Sequence, residues 1–137
     1  MRARLAAAVG IVVLGAGMLV TAPTAGAAGT VSDFDVTVGN TYTRGKITWH
    51  NRSVTVSGEQ KSVAPGNCRG TTAFTLDAKN KELGVAYSPR SACGASEKFS
   101  ITVPADVSGG AAVVRICLDD GASPVPPKYL SCKRYGR

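Results

Sequence analysis

The sequence predicts an all-β domain: an immunoglobulin-like antiparallel β-sandwich of seven or eight strands, held by two disulfides and preceded by a cleaved signal peptide. Three observations carry this. Beyond Gly29, apolar and β-branched residues repeat with period two in one segment after another, and no helical period is sustained. Clusters of Gly, Pro, Asn and Asp separate those segments at short spacing, as turns require. All four cysteines follow an apolar leader, which sends the chain to a compartment where thiols pair. A small barrel is the alternative closure of the same strands.

The leader is the first element. Met1–Arg4 is short and basic, Leu5–Val20 is an unbroken apolar or glycine run, and Thr21–Ala28 is small and weakly polar around Ala25-Gly26-Ala27. That is the three-part pattern of a secretory signal peptide, with cleavage expected after Ala27. Residues 28–137 are then one domain. The 16-residue apolar run falls short of a bilayer span and no second run follows it. The mature chain is expected to be secreted and extracellular, with no stable membrane insertion.

The strands follow in order. Phe34, Val36 and Val38 alternate with Asp33, Asp35 and Thr37. Ile47 and Trp49 alternate with Lys46, Thr48 and His50, and Val54 and Val56 with Ser53, Thr55 and Ser57. Thr72, Phe74 and Leu76 share one face of a strand, as do Leu83, Val85 and Tyr87 of the next. Phe99, Ile101 and Val103 alternate with Lys98, Ser100 and Thr102 in a sixth strand, Val114, Ile116 and Leu118 make one face of a seventh, and Tyr129–Arg134 is a shorter eighth. Turn chemistry marks Gly39-Asn40, Asn51-Arg52, Pro65-Gly66-Asn67, Lys79–Glu82, Ser88–Ser96, Pro104–Gly110 and Asp120–Pro127.

Register fixes a cysteine pairing. Placing Leu76 opposite Val85 sets Phe74 against Tyr87, Ala78 against Leu83 across the loop Lys79–Glu82, and Cys68 against Cys93. Cys117 is then left for Cys132, joining the last two strands, with Arg115 facing Arg134 beside it. Pro89 is expected to force a bulge before Cys93. Metal binding by the cysteines fails on spacing: they are separated by 24, 23 and 14 residues, with no C-x-x-C and no neighbouring His.

The mature chain carries 14 Lys and Arg against nine Asp and Glu, a net charge of +5. That favours an anionic partner without identifying one. Two candidate interaction surfaces emerge. One is the hairpin bearing Arg44, Lys46, His50 and Arg52. The other is the basic tail, Lys128, Tyr129, Lys133, Arg134 and Tyr135, whose interleaved aromatics suit a polyanion and whose charges equally suit a protected sheet edge. His50 is the only histidine; it reads as an exposed turn-flanking residue, or as a general acid or base if an acid joins it. Trp49, in phase with Ile47, reads as core. There is no G-x-S-x-G element and no phosphate-binding glycine loop.

Gly45-Lys46-Ile47-Thr48-Trp49, Ser53-Val54-Thr55-Val56-Ser57-Gly58 and Val114-Arg115-Ile116-Cys117 resemble the pattern of a loose group of small secreted, disulfide-stabilised β-sandwich proteins of actinobacteria. The group implies a fold and a compartment but no activity, and no functional residue is carried over from it. The cysteine spacing fits neither neocarzinostatin-type apoproteins nor subtilisin-inhibitor-like proteins, and the Trp-Arg-Tyr element of small α-amylase inhibitors is missing.

The expected function is therefore a non-catalytic extracellular interaction or structural module, with no cofactor or metal. Its partner is an anionic cell-wall polymer or another extracellular protein; nucleic acid is not expected. The alternatives are an inhibitor of a secreted hydrolase, using a loop such as Ser88–Ser96 braced by Cys93, and a small hydrolase or ribonuclease using His50.

Overall fold

The computed structural model describes residues 29–122 and 126–137. The leader with its cleavage site, and Ser123-Pro124-Val125 of the proline loop, lie outside the described residues. Eight strands run in order: β1 (Val31–Val38), β2 (Thr41–Trp49), β3 (Ser53–Lys61), β4 (Gly70–Leu76), β5 (Glu82–Tyr87), β6 (Ser96–Pro104), β7 (Val113–Asp119) and β8 (Tyr129–Gly136). No helix occurs among the described residues. The strands form two four-stranded antiparallel sheets, ordered β1-β2-β3-β6 and β5-β4-β7-β8.

Alternation places the core between the sheets. Phe34, Val36, Ile47, Trp49, Val54, Val56, Phe99, Ile101 and Val103 of the first sheet meet Ala73, Val114, Ile116 and Leu118 of the second. Trp49 is fully buried, and its Nε1–H donates to Ser32 Oγ at 3.0 Å. That bond satisfies the one polar atom of the largest core side chain. One end of the interior is polar instead. Thr71 Oγ1 donates to Gln60 Oε1 at 2.7 Å, so the Thr43 hydroxyl, 2.6 Å away, donates to Thr71. Gln60 Nε2 then donates to Arg90 O at 2.5 Å.

A second, smaller apolar cluster lies on the outer face of the second sheet. It comprises Phe74, Leu76 and Cys117, with Val85 and Val113 against them. This is why β4 is buried along its whole length: Thr71 and Ala73 face the first sheet, while Phe74 and Leu76 sit under the outer cluster.

Both disulfides join the residues expected, Cys68 to Cys93 and Cys117 to Cys132. The β7–β8 register is also as expected, with Cys117 opposite Cys132 and Arg115 opposite Arg134. The β4–β5 register is not. Phe74 faces Val85 and Thr72 faces Tyr87, a slip of two residues from the expected pairing. The turn is Asp77–Lys81, closed by Asp77 N–H donating to Lys81 O at 2.9 Å, and Ala78 does not face Leu83. The Asp77 carboxylate sets this turn by accepting from the Lys79 and Lys81 amides.

Slipping by two preserves every face. The extra length is absorbed before the cysteines, where Ser88–Ser91 runs opposite Gly70-Thr71 and pairing resumes at Arg69–Ala92. Leu83 is a further difference. A bulge sets Glu82 opposite Leu76, so Leu83 turns to the main core while Val85 stays on the outer cluster.

Candidate functional site

Register builds a charged row across the first sheet. Asp35 of β1 faces Arg44 of β2, Arg44 faces Glu59 of β3, and Glu59 faces Lys98 of β6. Opposite charges thus alternate over all four strands. Beside this row Gly45 faces Gly58. Their backbones approach so closely that a Cβ on Gly45 would stand 2.6 Å from Gly58 Cα, and one on Gly58 2.9 Å from Gly45 Cα. Only glycine fits at either position, and the floor here is bare backbone.

Over that floor lies a depression of about 890 Å³. Asp33, Phe34, Asp35, Arg44, Glu59 and Lys98 line it from the first sheet, and Lys133 and Tyr135 reach it from β8. Asp33 is paired with Lys46 at 2.8 Å. Arg44 lies over the Tyr42 ring, its guanidinium carbon 3.7 Å from the centroid, and the Tyr42 hydroxyl donates to Glu59 at 2.5 Å. Among the described residues the ion pairs within 4.0 Å are Lys46–Asp33, Arg52–Asp106 and Arg90–Glu97. Arg44, Lys98 and Lys133 therefore face the depression without a carboxylate at that distance.

β8 also protects the free edge of β1. The Asp35 N–H donates to the Tyr135 hydroxyl at 3.0 Å, and Asp35 O accepts from that hydroxyl at 3.0 Å and from Lys133 Nζ at 2.8 Å. The Tyr135 ring stands edge-on to Phe34, with centroids 6.3 Å apart. Burial pushes the Tyr135 phenol up; its bond to Asp35 opposes this and the Asp35 charge adds to it. Two backbone groups that another strand would need are occupied by side chains of the same chain.

The structure unites part of each predicted surface and divides the rest. Arg44 of the hairpin meets Lys133 and Tyr135 of the tail in one depression, while Lys46 is held by Asp33 just beside it. His50 and Arg52 stay at the β2–β3 turn: His50 Nε2 is 3.0 Å from Thr55 Oγ1, and Arg52 pairs with Asp106 at 2.5 Å. The hydrogen-bond partner of the His50 ring is thus Thr55 and not a carboxylate; Glu59 is engaged by Tyr42 and Glu97 by Arg90.

The tail is split by strand parity. Lys133 and Tyr135 turn toward β1, and Arg134 turns to the other face, donating to Asn80 Oδ1. A bulge between Leu118 and Asp119 sets Tyr129 opposite Asp119 and carries its ring to Phe74, 5.8 Å between centroids. Lys128 is exposed, its amide bound to the Asp120 carboxylate at 3.1 Å.

Asp35, Glu59 and Lys98 are site residues that the sequence reading did not single out. Asp35 and Lys98 each adjoin a hydrophobic residue in an alternating strand and so were visible as outward positions, whereas Glu59, between Gly58 and Gln60, carried no such mark. What was missing was the strand order that aligns them.

The Ser88–Ser96 loop is braced. Arg90 is exposed, but its carbonyl is turned inward to Gln60, and Arg69 and Ala92 exchange backbone bonds at 2.8 Å. At the loop's far side Asp119 is buried, accepting from Thr72 Oγ1 at 2.7 Å and from the Gly121 amide at 2.8 Å. Burial pushes its carboxyl above the ordinary carboxylate range, against those two bonds. Among the described residues no group of three or more His, Cys, Asp or Glu could hold a metal ion. Comparison of the chain with family models, curated proteins and solved structures finds no match.

Proposed function

We propose that this chain is a secreted, non-catalytic interaction module of the immunoglobulin-like kind, released by cleavage after Ala27. It takes an extracellular protein segment bearing both acidic and basic side chains. The observation that carries this reading is the depression, where Asp33, Asp35 and Glu59 are interleaved with Arg44, Lys98 and Lys133. An even balance of signs suits a partner with matching alternation better than a polyanion such as a wall polymer, because like-charge juxtaposition would reject the latter. Two disulfides fit an oxidising compartment. Two stacked antiparallel sheets with the core between them support a sandwich of this general kind; both disulfides join neighbouring segments of the second sheet and do not bridge the sheets beside Trp49.

The test is capture from secreted-protein and wall fractions on immobilised mature chain at low salt. A protein partner retained by the wild type and lost by Arg44→Glu with Lys98→Glu is expected. Retention that survives both changes, or no retained protein, overturns it.

The braced Ser88–Ser96 loop favours a second reading, inhibition of a secreted hydrolase, since a preorganised loop loses less entropy on binding. The inward Arg90 carbonyl means such an inhibitor would obstruct the enzyme rather than offer Arg90-Ser91 for cleavage. Undiminished rates across a panel of extracellular proteases and amylases would eliminate it.

A further inference from the structure

We infer that the outer face of the second sheet carries a phosphate-binding site between Arg115 and Arg134, distinct from the depression on the first sheet. The two arginines are direct cross-strand partners on β7 and β8. Like charges in that relation repel, and neither has a carboxylate within 4.0 Å among the described residues. Both are nevertheless held in place. The Arg115 guanidinium carbon lies 4.1 Å from the centroid of the Phe74 ring, and Phe74 is itself fixed by the outer apolar cluster and by Tyr129. Arg134 donates to Asn80 Oδ1, and Asn80 is locked in the left-handed region (φ 67°) of the β4–β5 turn.

The Arg115 Nε is buried and has no hydrogen-bond partner, so it is closed to a dissolved anion and a ligand must meet the outer guanidinium nitrogens. A buried donor without an acceptor calls for an explanation, and the ring beneath the guanidinium supplies no oxygen. Packing, not an acceptor, positions this cation.

The ligand class follows from the donors. One arginine fork satisfies one planar carboxylate. Two guanidiniums on neighbouring strands instead offer donors from two directions to a single tetrahedral oxyanion, whose charge also relieves their repulsion. The shared chemistry is a phosphate group, free or as an ester on a larger molecule. The exposed Tyr129 ring, its centroid 5.8 Å from that of Phe74, forms an apolar shoulder.

The test uses the oxidised mature chain, ¹⁵N-labelled, titrated with inorganic phosphate at constant ionic strength so that general screening is fixed. Saturable shifts of the Arg115 and Arg134 Nε–H resonances with one common midpoint in the millimolar range are expected. Arg134→Gln, at an exposed position, should raise that midpoint by about tenfold, the loss of one charge-assisted contact. Arg115→Lys, which keeps the charge and loses the fork, should raise it as well. Shifts linear in phosphate, a midpoint unchanged in Arg134→Gln, or acetate binding as tightly as phosphate overturns the site. In a second arm, poly(glycerol phosphate) binding more tightly per phosphate than the free ion points to a polymer-borne source, and equal affinity to free phosphate; both support the site provided Arg134→Gln weakens them.

Discussion

Thr71→Val tests the polar relay inside the sandwich. Thr71, Thr43 and Gln60 are fully buried, and Thr71 is the middle of the relay, giving its proton to Gln60 Oε1 and accepting that of Thr43. Valine keeps the shape and removes both functions. Gln60 Oε1 is left without that donor and the Thr43 hydroxyl without that acceptor, both fully buried. Each stranded group costs about 1–3 kcal/mol, so the variant should lose about 2–6 kcal/mol from a total of about 5–15 kcal/mol. The extra methyl returns about 0.8 kcal/mol at most. Urea unfolding of the oxidised chain, followed by the emission of Trp49, reads the loss as a lower midpoint at unchanged slope. The triple variant Thr43→Val, Thr71→Val, Gln60→Leu strands only the Arg90 carbonyl and should recover much of the stability. Thr71→Val within about 0.5 kcal/mol of wild type, the range of ordinary surface changes, would refute the reasoning, as would a triple variant worse than the sum of its parts.

Asp119 gives a pH dependence. Its folded pKa lies above its unfolded one, so its contribution is fully present below the unfolded value, near 3.8, and is lost as pH rises through the folded value. Asp119→Asn removes the charge and can still accept from Gly121, with its Nδ2 donating to a Thr72 hydroxyl that turns to accept; its stability relative to wild type should rise with pH across that window, and a flat difference in denaturant titrations would exclude the effect. Gly58→Ala forces a Cβ into the Arg44 carbonyl oxygen and to 2.9 Å from Gly45 Cα and should cost at least about 1–3 kcal/mol, seen in calorimetry as a lower Tm; an unchanged Tm would contradict the close approach. Tyr135→Phe frees the Asp35 N–H on the β1 edge, and light scattering should detect concentration-dependent association that wild type lacks; a monodisperse variant would count against edge protection by Tyr135. Replacing Cys68 and Cys93 together by Ala should cost about 3 kcal/mol on the chain-entropy account, checked by unfolding against the parent chain.

Much of the fold was legible because alternation is a local signal. Phe34, Val36, Ile47, Trp49, Val54, Val56, Phe99, Ile101 and Val103 were set apart from their polar neighbours by alternation alone, and all are buried, whereas Val38, third in the first set, ends its strand and is exposed. The cysteine pairing was also reached, although the register that suggested it was two residues out. It survived because an even slip keeps faces and because the residues around Pro89 absorb the difference. Leu83 and Tyr129 escaped, since each lies beside a bulge, and a bulge reverses parity without a compositional mark. The outer cluster around Phe74 escaped too. Alternation says that a residue leaves the inter-sheet core; it does not say that Arg115, Tyr129 and a disulfide wait on the other side. The depression was half visible: Arg44, Lys133 and Tyr135 were named as parts of two separate surfaces, and only the stacking of β1 near β8 brings them together.

The covalent closures are unevenly distributed. One encloses β4 and β5, the other only the facing ends of β7 and β8 with the loop between them; β1, β2, β3 and β6 belong to neither ring. Tension applied at the amino end is therefore carried by ladder bonds and apolar contact alone. Under load the first three strands can be drawn out to full length, while residues 68–93 and 117–132 are sheltered from extension until something reduces the bridges.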